Sequence, residues 1–149
     1  MIEILKLQYE YCEQVYNIAR DCLPEHWSLE GIRDVLKYNN NIYYVALETD
    51  THKVIGFGGI MIVADEAELL NIAVDIEYRN KGIANKLIKK LISDAILTGA
   101  QRMLLEVRAH NDIARCFYHS NGFTELGLRK NYYDNPSDDA IIMEKILNC

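Results

Sequence analysis

The sequence predicts an α/β fold: one central mixed sheet, mostly antiparallel with a single parallel crossover, flanked by helices in the order β-α-α-β-β-β-α-β-α-β-β. Three observations carry that reading. From Gly82 to Ala95 the apolar pairs Ile83/Ala84, Leu87/Ile88 and Leu91/Ile92 recur every four residues, the wide stripe of a helix laid against a sheet. The strand candidates Glu68–Asp75 and Met103–Arg108 bracket that helix, and strand, helix, strand closes as a right-handed parallel crossover. Before them, Ile42–Leu47 and Val54–Val63 are rich in β-branched and aromatic residues and are joined by the short polar turn Thr49–Lys53, so they pair antiparallel as a meander.

The remaining elements follow in order. Glu3–Leu7 is a short strand candidate. Tyr11, Val15, Ile18, Ala19 and Cys22 then share one helical face, which ends near Pro24. Ser28 is placed to cap a second helix carrying Ile32, Val35 and Leu36. The link between the two helices holds Glu25, His26 and Trp27, which either border a groove or, for Trp27, pack on the core. Gly56, Gly58 and Gly59 lie inside a strand with no helix pattern after them, so they read as a bulge or a close approach rather than a dinucleotide site. Asp65–Ala67 is a turn. Gly99 ends the long helix, and Asn111 is placed to cap a short helix that stops before Gly122. Phe123–Leu128 is a strand, Asn131–Asp139 a polar loop containing Pro136, and Ala140–Ile146 a last strand.

Composition bounds the function. A length of 149 residues suits a single domain, 1–149, and 50% hydrophobic with 26% charged residues is ordinary for a globular chain. A formal net charge of −6 argues against a chain built to coat nucleic acid or an anionic membrane. It is compatible with a cationic partner such as a basic peptide. There is no apolar run of about 18 residues and no signal-peptide layout at Met1–Lys6. Cys12, Cys22, Cys116 and Cys149 are irregularly spaced, as reduced thiols are, so a cytoplasmic location and no metal site are expected.

Chemistry concentrates after Glu68. The loop Arg79-Asn80-Lys81-Gly82-Ile83-Ala84-Asn85 joins a strand to a helix N-terminus, where unpaired N–H groups and partial positive charge suit an anion such as a pyrophosphate. Gly82 and Ala84 keep side chains clear of a close ligand, although Gly82 also suits a plain tight turn. On Met103–Arg108 the alternation sends Leu105 and Val107 one way and Leu104, Glu106 and Arg108 the other. Taken alone, Glu106 reads as an exposed strand residue and Tyr118 as packing. Cys116 and His119 share a helix face but have no third partner, which argues against a covalent nucleophile.

Several motifs occur together in a fixed order. They are Leu69–Asp75, Arg79-x-x-Gly82-x-Ala84, Leu105-Glu106-Val107-Arg108-Ala109-x-Asn111, Phe117-Tyr118-x-x-x-Gly122-Phe123, Arg129–Tyr133 and Asp139–Met143. This set resembles the GNAT acetyltransferase superfamily and, within it, the RimI-type protein N-terminal acetyltransferases, strongly over Leu69–Ile146 and only in pattern before that. The resemblance implies a GNAT fold and acetyl-CoA as co-substrate. The backbone of Ile72, Ala73 and Val74 would pair with the pantetheine arm, and Asn80, Lys81, Gly82, Ile83, Ala84 and Asn85, with Arg79, would cradle the pyrophosphate. Asn111 would bond the cofactor or simply cap its helix. Glu106 would be the general base and Tyr118 the general acid. Tyr132 and Tyr133 would border the peptide groove or pack the loop down. Arg79 and Ala84 stand where many relatives carry glutamine and glycine, within the looser superfamily pattern.

The implied reaction is direct attack of an amine on a thioester, with no acyl-enzyme. An α-amine titrates near 8 and a lysine near 10.4, so the α-amine is easier to deprotonate at pH 7 by roughly 3 kcal/mol, which favours a protein N-terminus. The expected acceptor is the N-terminal alanine of a small-subunit ribosomal protein. Acetylation of a lysine or small amine, or a CoA-binding module without turnover, are the alternatives that the residues leave open.

Overall fold

Residues 1–147 are described by a computed structural model; Cys149, the fourth cysteine, lies outside them. The elements are β1 (Ile2–Lys6), α1 (Cys12–Cys22), α2 (Leu29–Asp34), β2 (Asn41–Glu48), β3 (Lys53–Val63), β4 (Glu66–Val74), α3 (Ile83–Leu97), β5 (Arg102–Arg108), α4 (Asp112–Ser120), β6 (Thr124–Tyr133) and β7 (Asp138–Ile146). Their order is the expected one. The seven strands form one sheet, β1-β2-β3-β4-β5-β7-β6, in which only β4 and β5 run parallel. Ser28 caps α2 by accepting the Gly31 N–H at 3.0 Å, and Asn111 caps α4 by accepting that of Ala114 at 3.1 Å.

Alternation along the strands splits the core in two. Tyr43, Val45, Leu47 and Phe57 pack under α1 and α2 with Val15, Ile18 and Ile32. Tyr44, Ala46, Met103, Leu105, Val107 and Met143 pack under α3 with Leu87, Ile88 and Leu91. The β5 residues of opposite parity, Glu106 and Arg108 among them, therefore face the α1/α2 side.

Two local features shape the sheet. Tyr43 on β2 lies opposite Gly59 on β3, and its ring crosses that glycine so closely that a Cβ there would sit 2.2 Å from it. The ring reaches on to β4, where its hydroxyl accepts a hydrogen bond from the Asn71 side chain at 2.9 Å. Next to Asn71, the β3–β4 register skips Leu70, and Leu70 and Asn71 both turn to the α1/α2 side. Such a bulge bends a strand. It falls just past Glu68–Leu104, the last pair of the parallel ladder, which holds only Glu66–Glu68 against Arg102–Leu104. Beyond it β4 and β5 part.

The polar loop expected over Asn131–Asp139 is shorter than that. β6 runs on to Tyr133, with a register shift between Arg129 and Tyr133, and pairing resumes at Tyr133–Asp138. Asn131 adopts a left-handed φ of 53°, and its N–H donates to the Asp139 carboxylate at 2.8 Å, which carries the strand through the irregularity.

Candidate active site

The gap between β4 and β5 opens towards their C-terminal ends. On the β5 side, β4 has no strand partner from Leu69 to Val74, so the expected pantetheine-pairing residues Ile72, Ala73 and Val74 present backbone groups to the gap. The Val74 carbonyl is already engaged, accepting from Arg79 Nε at 3.1 Å and from Cys22 Sγ at 3.7 Å. Arg79 thus folds back as a brace between the loop and the end of β4.

The loop into α3 has the form that an anion cradle requires. Asn80 and Gly82 take left-handed φ values of 64° and 79°, and a Cβ on Gly82 would meet nothing within 4 Å. The first turn of α3 carries no acidic residue, so its positive pole is not offset locally. Lys81 lies 5.3 Å from the centre of the Tyr78 ring. Ile83 is buried in the α3-side core, which leaves only its backbone for a ligand. Asn85 accepts from the Asn121 side chain at 3.2 Å, tying α3 to the end of α4. Asn111 realises its capping role. The open Gly82 cradle and the unpartnered β4 edge fit acetyl-CoA.

Glu106 lies on the α1/α2 face of β5, its side chain 26% exposed. Its Oε2 is buried without a hydrogen-bond partner; the nearest cation, Arg129 Nε on β6, is 3.5 Å away. A buried carboxylate oxygen with no donor is costly and keeps its capacity to take a proton. Tyr118 belongs to the opposite face, packed edge-on against Phe117 and Phe123 at centroid distances of 5.4 and 5.8 Å. Burial, reinforced by the nearby Tyr133, pushes its phenol well above the ordinary range. Tyr133 is itself pushed up to about 12 by burial and by the neighbouring charge of Glu106. Tyr133 is thus electrostatically coupled to both Glu106 and Tyr118, which belong to opposite faces of the sheet.

Tyr132 is half-exposed, edge-on to Tyr133 at 5.0 Å and beneath the Arg129 guanidinium. Trp27 packs against Tyr43 at 6.4 Å while remaining partly exposed, which bears on its packing role. Asp138 anchors the start of β7. Burial alone would raise its carboxyl, but hydrogen bonds from the His110 backbone and ring and from the Asp139 N–H outweigh that and hold it below the usual range. Arg108, Arg129 and Asn71 were not singled out from sequence. The available signal was parity, since Arg108 shares the face of Glu106 two residues on. Cys116 is exposed, and its helix neighbour His119 turns to Glu125 at 3.7 Å.

A parallel strand pair that parts beside an open loop at a helix N-terminus is a frame that suits an acyl-coenzyme. A profile of the acetyltransferase (GNAT) family matches residues 12–123. The ribosomal protein bS18-alanine N-acetyltransferase of Haemophilus influenzae is 37% identical over 142 residues, 91% of this chain and 94% of that protein. The crystal structure of the ribosomal-protein-S18-alanine N-acetyltransferase of Escherichia coli superposes with a TM-score of 0.90 at 30% identity, covering 100% of this chain and 96% of that one. Ard1 of Thermoplasma volcanium gives 0.89 at 28% identity, with 99% of each chain covered. The chain belongs to the acetyltransferase (GNAT) family. It is an acetyltransferase and its acyl donor is acetyl-CoA.

Proposed function

We propose that this enzyme acetylates the α-amine of a protein N-terminus, in the cytoplasm, and that its acceptor is the N-terminal alanine of ribosomal protein bS18. The relatives in Haemophilus influenzae and Escherichia coli carry that activity in their names and cover nearly the whole chain. Within the site, one observation supports the reading: Oε2 of Glu106 is buried without a hydrogen-bond donor, with Arg129 Nε 3.5 Å away.

Bound acetyl-CoA supplies an activated acetyl thioester. The backbone of Ile72–Val74 and the loop Arg79–Asn85 would hold it, together with Asn111 at the start of α4. Glu106 takes the proton from the incoming ammonium, directly or through water, which suffices for an α-amine titrating near 8. Tyr118 keeps its proton until it donates it to the departing sulfur. Tyr132 and Tyr133 line the acceptor side. Attack is direct, and no side chain becomes acylated.

The test is mass spectrometry of a peptide with the bS18 N-terminal sequence after incubation with acetyl-CoA, beside a peptide with a blocked N-terminus and an internal lysine. The α-amine peptide gains one acetyl group and the lysine peptide reacts far more slowly. Glu106→Gln lowers kcat by about 10²-fold or more while acetyl-CoA affinity is unchanged. No transfer by the wild type, or undiminished transfer by Glu106→Gln, overturns the reading.

A further inference from the structure

Four groups converge on Arg108, whose side chain is only 12% exposed. Its Nε donates to the Glu25 carboxylate at 2.6 Å, and Nη2 pairs with the same carboxylate. Nη1 donates to the Pro136 carbonyl at 2.6 Å and Nη2 to that of Asp134 at 3.1 Å. The guanidinium carbon lies 4.5 Å from the centre of the Tyr133 ring. Forked, charge-assisted bonds of this kind are the stronger sort, and a lysine cannot reproduce them.

What the contacts join matters more than their number. Cys22, the last residue of α1, touches the Val74 carbonyl at the end of β4, so the α1–α2 link starts above β4. Glu25 lies three residues further along. Arg108 ends β5, on the same face as Glu106. The Glu25–Arg108 pair therefore crosses the gap between the parted strands on the α1/α2 side, while the other bonds of Arg108 hold residues 134–136 of the β6–β7 loop.

We propose that Arg108 is a positioning residue for the acceptor: with Glu25 it ties the α1–α2 link to the β6–β7 loop across the gap, presetting an opening that suits an extended chain end over a side-chain amine. The proposal rests on the N-terminal acetylation reading. A groove fixed before binding spares the ordering cost of closing two loops on a peptide, so the tie acts on acceptor affinity. It does not touch the reacting atoms and leaves proton transfer to Glu106.

Steady-state kinetics on wild type, Arg108→Lys, Glu25→Gln and the double variant test this, with the α-amine and lysine peptides as acceptors. Each single variant raises the KM for the α-amine peptide about tenfold with kcat held within about threefold. The preference for α-amine over lysine narrows, acetyl-CoA affinity stays at the wild-type value, and the double variant adds little to either single change. A peptide KM within about twofold of wild type in Glu25→Gln overturns the proposal, as does a fall in kcat at constant KM or full additivity of the two changes. Glu25 is a partly exposed link residue, so its variant decides the matter even if Arg108→Lys does not fold. A wild type that acetylates small amines but neither peptide overturns the N-terminal reading, and this proposal with it.

Discussion

Tyr118 shows how a single side chain is prepared for its work. Phe117 and Phe123 wall in its ring and Tyr133 adds to the cost of a phenolate, so the phenol keeps its proton well above pH 10. A general acid must hold its proton until the sulfur departs. Because this group is shifted upward, its protonated form persists through neutral and mildly alkaline solution. The kcat/KM–pH profile should therefore rise as the free acceptor α-amine loses its proton near 8 and stay level to pH 10. A descending limb between pH 9 and 10 would assign the acid role elsewhere. Tyr118→Phe keeps the ring packing and should lower kcat about 10²-fold with little loss of stability. Strand alternation places Glu106 opposite Leu105 and Val107, but only the motifs around it point to a base, because a lone strand carboxylate reads as exposed. Arg108 was not legible in the sequence, because its partners lie 83, 28 and 26 residues away and only the folded chain gathers them.

The elements repeat that division. The period of α3 and the β-branched content of β2 and β3 announced themselves, since both patterns are local. The extent of β6 did not. Asn131 and Pro136 carry turn chemistry, and it took the Asp139 carboxylate, eight residues on, to hold the strand together through its bulge. The glycines of β3 were legible as a class, and the particular reason for Gly59 is the Tyr43 ring lying across it. Gly59 does not need a left-handed backbone, so the cost of replacing it is purely steric. Gly59→Ala should destabilise the fold by about 1–3 kcal/mol through displaced packing, and it should also break the Tyr43–Asn71 hydrogen bond. Denaturant unfolding measures the first, and a shift of the Asn71 side-chain amide resonance in NMR reports the second.

At the scale of the molecule, the sheet is two half-sheets, β1–β4 and β5–β7, joined along a short seam. Arg102 pins the seam at its narrow end, donating to Glu66 at 2.9 Å and to Glu144 at 3.1 Å, and α3 packs across both halves. The other end of the seam is left to whatever occupies the gap. On the proposed binding mode, folding and saturation are thermodynamically linked: acetyl-CoA at about a hundred times its Kd should add about 2.7 kcal/mol to stability. Melting temperature would then climb by roughly 5–10 °C. Deuterium exchange would show where that stability enters. The amide of Ala67 should be slow with or without the coenzyme, whereas amides within Ile72–Val74 that face the gap should slow only as it saturates. The thermal history of the enzyme in a cell would then follow its acetyl-CoA supply, making carbon status a determinant of how long each copy survives.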